Sequence, residues 1–243
     1  YAYEDMILNH LKIHHLRNII SAELFLNSRF NFIYGANGSG KTSILESLYL
    51  LSCAHSFRSR EIIPIVTHDK DALAVFARTT DKSTIAIQKS IAGSTQIKLN
   101  NQFCSSTSQL AYAIPCQIIY ADIFQIIDAG PTVRRSLLDW GLFHVKPNFL
   151  LLWKEYKRVL KQRNALLRTE KSYANFIPWD KQLDDLACHI HNLRQDYFAD
   201  LICAFHSILK KLTDLECDIE YYKGWDKKNN NQSLLEVLID NFE

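Results

Sequence analysis

Residues 30–51 read FNFIYGANGSGKTSILESLYLL, and three of the chain's 7 glycines, Gly35, Gly38 and Gly40, fall within a few positions of one another. Gly35, Gly40, Lys41 and Thr42 occupy the fixed positions of G-x-x-x-x-G-K-[ST]. Phe30, Phe32, Ile33 and Tyr34 form an apolar run that predicts a short strand. From Thr42 onward Ile44, Leu45, Leu48 and Leu51 recur at helical spacing, so the order is strand, glycine loop, helix. That order suits phosphate binding. Glycines let backbone N–H groups approach phosphate oxygens closely, and a helix N-terminus adds partial positive charge. In such a loop Lys41 reaches the β- and γ-phosphates of ATP and the Thr42 hydroxyl ligates Mg²⁺. The competing reading is an ordinary glycine-rich turn ahead of a helix.

With 243 residues, 47 % of them hydrophobic, the chain has material for one large domain or two modest ones. There is no run of eighteen apolar residues and no leader-like N-terminus, so the expectation is a cytoplasmic protein, neither secreted nor membrane-spanning. Cys53, Cys104, Cys116, Cys188, Cys203 and Cys217 form no C-x-x-C pair and are expected as reduced thiols. A net charge of +2 is too small to imply nucleic acid by itself, so any basic footprint must be local. The single methionine is Met6, and residues 1–5 are expected to be a remnant or the trace of an upstream extension.

Before the loop, two or three strands are expected, with Ala22, Leu24 and Leu26 alternating against Glu23 and Phe25. After the first helix, HSFRSRE is a polar connection. ALAVFART, STIAIQKSI and TQIKLNNQF then read as short consecutive strands, which favours antiparallel pairing. Gly130-Pro131 opens a further helix. Beyond Pro147 the pattern turns helical, and Leu183, Leu186, Ile190, Leu193, Tyr197, Leu201, Phe205, Ile208 and Leu212 predict one long amphipathic helix, for packing in a bundle or short coiled-coil arm. SLLEVLIDNFE reads as a last helix. The expected division is a nucleotide-binding α/β lobe over 6–147 and a helical lobe over 148–243.

Hydrolysis needs a second apolar strand that ends in an acid. Ile118, Ile119 and Tyr120 leading to Asp122 are the strand candidate, whereas Val237, Leu238 and Ile239 before Asp240 have helical spacing. With Asp122 as the metal-side acid, the chain would be a self-contained P-loop phosphotransferase or nucleoside triphosphatase.

Three blocks, FIYGANGSGKTSILESLYLLSCAHSFRSR, AGPTVRRSLLDWGLF and WKEYKRVLKQRNALLR, closely resemble the RecF family of bacterial recombination mediators, SMC-like members of the ABC ATPase class. The resemblance implies an ABC-type head: a mixed α/β lobe with an inserted helical lobe. It places Gly35, Ala36, Asn37, Gly38, Ser39, Gly40, Lys41, Thr42 and Ser43 around ATP-Mg²⁺. It also offers Gln117 as the glutamine that senses Mg²⁺, although Gln109 and Gln125 lie nearby. Asn37 is read either as a contact near the γ-phosphate or as a turn residue tolerating positive φ. The family carries its signature segment and acidic strand in a C-terminal stretch. No L-S-x-G-Q-like run occurs here, so the C-terminal part is expected to be absent, leaving no catalytic residue in this stretch and poor hydrolysis. The resemblance further implies an ATP-dependent homodimer on double-stranded DNA at gaps or junctions, with RecO and RecR as partners in placing RecA, in repair and damage signalling.

Lys154, Lys157, Arg158, Lys161, Arg163, Arg168 and Lys171 stand against only Glu155 and Glu170, a locally positive segment suited to DNA phosphates or simply to solvent. Arg58, Arg60, Arg134 and Arg135 are further candidates, the Arg134–Arg135 pair having an ion pair with Asp139 as its alternative. Cys188, His189 and His191 do not have the spacing of a closed zinc site on a helix. Three readings stay open: a DNA-bound switch, a phosphotransferase using Asp122, and an interaction module with a vestigial loop.

Overall fold

The computed structural model describes residues 7–104, 106–119, 125–128, 130–226 and 232–242. It forms two compact units, 1–120 and 121–243. The change of sequence character beyond Pro147 falls inside the second.

In the first unit, strands β1 (Leu8–Leu16) and β2 (Ile19–Phe25) precede helix α1 (Lys41–Cys53) and a 3₁₀ turn at Ile63–Ile65. Strands β3 (Ala72–Thr79), β4 (Thr84–Ser90), β5 (Thr95–Leu99) and β6 (Gln102–Phe103) and helix α2 (Thr107–Ala113) follow. The sheet order is β2-β1-β3-β4-β5-β6, antiparallel at every pairing. Register aligns Ile13, Val75, Ile87 and Ile97 across four strands, all buried. Strand side chains alternate between faces, so this row and its neighbours Leu11, Leu73, Ala77 and Ile85 share one apolar face. Leu50 and Leu51 of α1 and Leu110 of α2 complete that core. The β5–β6 hairpin turns on Asn100 and Asn101, both at positive φ (49° and 63°), as a two-residue turn of this hand requires.

The strand expected over 30–34 is not formed. Phe32 and Tyr34 are 88 % and 93 % exposed. A strand exists only where a neighbour takes its backbone N–H and C=O groups, and among the described residues none does so here. Ile118 and Ile119 are likewise outside any strand, and Asp122 lies outside the described residues.

The second unit contains α3 (Gln125–Asp128), α4 (Pro131–Val145), α5 (Phe149–Leu166), a 3₁₀ turn at Tyr173–Asn175, α6 (Ile177–Leu212) and α7 (Leu234–Asp240). Pro131 stands in the first turn of α4, where its missing N–H costs nothing. Val159 of α5 packs with Leu183 and Leu186 of α6, and Leu142 of α4 with Phe149 and Ile190. Gly141 lets α4 approach α6 closely, since a Cβ there would sit 2.1 Å from the Tyr197 hydroxyl oxygen. The long helix read from sequence is present as 36 residues, and its buried positions all lie between Asp180 and Ile190. Helix α7 begins with a capping box between Ser233 and Glu236. No helix among the described residues is long and apolar enough to cross a membrane.

Candidate functional site

The glycine loop runs into α1 through three left-handed glycines, Gly35 (φ 152°), Gly38 (φ 82°) and Gly40 (φ 96°). Gly40 is the N-cap of α1, and no side chain caps the helix start, so its first N–H groups are left for another acceptor. A Cβ on Gly40 would come within 3.3 Å of Ile19 and 3.4 Å of Asn18, so both backbone conformation and space select glycine. Lys41 Nζ donates to the carbonyls of Gly35 (2.9 Å) and Ala36 (2.8 Å), which folds the ammonium back over the loop. Asn37, Gly38, Ser39 and Thr42 are exposed. Asn37 is outside the left-handed region, so tolerance of positive φ does not explain it.

The support for this loop was missed in the sequence. The β1–β2 hairpin turns at Arg17 and Asn18, and both side chains reach toward the loop and α1. Asn18 Nδ2 donates to the Gly38 carbonyl (2.6 Å), and the Ser43 hydroxyl donates to Asn18 Oδ1 (3.1 Å). Arg17 makes a two-pronged pair with Glu46 of α1 (2.9 and 2.8 Å) and donates to the Pro64 carbonyl (2.6 Å). Glu46 is fully buried and also accepts from the Ser56 hydroxyl. That oxygen of Ser56 in turn accepts from the N–H groups of Arg58 (2.9 Å) and Ser59 (3.1 Å). One carboxylate therefore ties the hairpin tip, α1 and the polar connection together. The available signal was weak: Glu46 stands one turn before Leu50, off the stripe of Ile44, Leu45 and Leu48, and an Arg-Asn turn lies between alternating strands. Gln117 is exposed, with its amide near the Ile118 carbonyl (3.4 Å).

At the far end of α1, burial pushes the Cys53 thiol up, but hydrogen bonding with His55 outweighs it and leaves Cys53 below its ordinary range. The same hydrogen bond raises His55. Burial raises Cys116.

The basic segment resolves into two parts. Lys154, Lys157, Arg158 and Lys161 lie at helical spacing along α5, all exposed. Arg163 belongs to the other side and corrects the sequence reading. It is 8 % exposed and bonded by its guanidinium to the fully buried Asp180 of α6, so it is spent inside the unit. Asp139 is claimed by Arg194 through two 2.8 Å contacts, which leaves it unavailable to the Arg134–Arg135 pair. Arg134 instead donates to the Ile127 carbonyl (3.0 Å).

A glycine loop running into the start of a helix that packs on a β-sheet defines a P-loop-type phosphate-binding unit. Residues 7–124 match the RecF/RecN/SMC N terminal domain model. A DNA replication and repair protein RecF of Vibrio vulnificus (strain CMCP6) is 37 % identical over 243 residues, covering 98 % of this chain and 67 % of that protein. That of Aliivibrio fischeri (strain ATCC 700601 / ES114) is 38 % identical with the same coverage. The chain belongs to the RecF family of DNA replication and repair proteins. Its fold matches the recombination mediator RecF-ATP in the RecFOR pathway with a TM-score of 0.79 at 23 % identity, covering 99 % of this chain and 68 % of that one.

Proposed function

We propose that this chain is a nucleotide-gated DNA-binding switch of recombinational repair. The carrying observation is the loop: three left-handed glycines, an uncapped helix start and Lys41 folded over Gly35 and Ala36. These residues fit the phosphate chain of ATP. Backbone N–H groups at the start of α1 donate to phosphate oxygens, Lys41 exchanges its two carbonyls for β- and γ-oxygens, and Thr42 offers its hydroxyl to Mg²⁺. The metal would supply charge neutralisation between the β- and γ-phosphates. Glu46, the carboxylate next along α1, is held by Arg17 and Ser56 and so is not a free base. This supports binding over turnover.

In this reading ATP brings two heads together on gapped or junction DNA, and the α5 face meets phosphates without reading bases. RecO and RecR as partners in RecA loading, a cytoplasmic location and the 6–147/148–243 lobes belong to the same proposal, supported by the family. A fluorescent ATP analogue titrated with Mg²⁺, followed by phosphate release on the same sample, tests it. Binding without turnover is expected. Robust turnover abolished by Asp122→Ala would replace the switch with a phosphotransferase, and no binding would leave the loop vestigial.

A further inference from the structure

Within the second unit, α4, α5, α6 and the Trp225 segment enclose a recess of about 350 Å³ that the nucleotide reading does not use. That size is at the lower end of small-ligand cavities, which span roughly 300–1,000 Å³, and is too small for a helix. Its lining combines two chemistries. Trp153, Tyr156 and Trp225 offer aromatic surface, and Arg135 and Lys157 offer cationic heads that make no ion pair among the described residues. Arg194 is also there, but Asp139 neutralises it. The recess therefore carries net positive charge beside aromatic rings. Lys157 Nζ lies 5.2 Å from the Trp153 ring centre. The Trp225 Nε1–H is buried and has no hydrogen-bond partner among the described residues, and a buried donor without an acceptor is costly.

We propose that this recess takes one unpaired nucleotide of a DNA strand, its base against the indoles and its phosphate between Arg135 and Lys157. A base has the flat face that aromatic side chains stack on and ring or carbonyl acceptors for an indole N–H, while its phosphate matches the two cations. Duplex DNA keeps its bases paired and cannot fill the recess, so occupancy discriminates gapped from intact DNA. The inference rests on the DNA-binding reading and gives it a source of structural preference that phosphate contacts on α5 do not supply.

The test compares the full chain, with ATP and Mg²⁺, on an intact duplex and on a duplex of equal length carrying a short single-stranded gap with 2-aminopurine in it. The gapped duplex is expected to bind about ten-fold tighter, with the 2-aminopurine emission quenched by stacking. Trp225→Ala, in a loop outside the helices, is expected to erase that preference and the quench while leaving intact-duplex affinity unchanged, with its Tm measured alongside; Arg135→Gln, on an exposed position, is expected to weaken the gapped duplex more than the intact one. Equal affinity for the two DNAs, or variants that keep both preference and quench, overturns the inference while the DNA-binding reading stands. Failure to bind either DNA overturns both. Displacement of the gapped DNA by an acidic tryptophan-containing peptide, with no 2-aminopurine quench, assigns the recess to a protein partner and also overturns it.

Discussion

The glycine loop and the basic face of α5 both present positive charge or N–H donors at the surface, yet they are made from different material. The loop uses backbone: left-handed glycines and the uncapped start of α1, with a single lysine added. The α5 face uses long side chains on an exposed helix. Backbone donors are fixed in number and direction by conformation, so a motif of a few residues specifies them. Side-chain cations are free to go elsewhere. Arg163, in the middle of the basic run, was drawn inside to Asp180 because a buried carboxylate requires a partner. A charge run in sequence thus overcounts the surface it makes.

The largest expected effect would break this comparison at Arg163. Arg163→Ala strands Asp180 and should cost about 3–5 kcal/mol in urea unfolding, whereas Lys161→Ala on the exposed side should stay within roughly 0.5 kcal/mol. Equal effects would return Arg163 to the surface set. Lys41→Ala should weaken ATP by about 1.5–3 kcal/mol, roughly 10- to 150-fold, with the unfolding midpoint little changed. Calorimetry showing unaltered affinity would mean that the loop's lysine stays on its own carbonyls. Gly40→Ala forces a side chain into the left-handed region and should cost about 1–2 kcal/mol of stability, before any loss from crowding Asn18.

Smaller effects sharpen the α5 side. Lys154→Ala and Lys161→Ala should each flatten the salt dependence of DNA binding by roughly 0.9 in log–log slope if each meets one phosphate, and by nothing if solvent is their only partner. The least of the expected changes concerns thiols. Iodoacetamide should modify Cys53 at lower pH than Cys116, because His55 hydrogen bonding favours the Cys53 thiolate and burial disfavours that of Cys116. Reaction of both at the same pH would show that the His55 contact does not hold in solution.

The strands from Ala72 to Phe103 were legible because each alternates apolar and polar residues between turn residues, and local periodicity is enough to specify a half-buried antiparallel strand. Helix α6 was legible for the same reason at a different period. The run Phe30–Tyr34 was not, although its residues favour strands, because strand formation depends on a neighbour that propensity does not name. Asn18 and Arg17 were missed as well. They lie far along the chain from Gly38 and Glu46, and only the hairpin brings them there.

By itself the sequence determined the glycine loop at the start of a helix and the family, because both are carried by short-range order: glycines at set spacing, a lysine, a helix start and three blocks in sequence. The tertiary structure decided which charged groups remain available for binding. Glu46, Asp139, Arg163 and Arg194 look like surface chemistry in the linear text, and all four are consumed in ion pairs across turns or helices. The physical reason is that desolvating a charge costs more than a protein can leave uncompensated, so the fold brings distant opposite charges together before any ligand arrives.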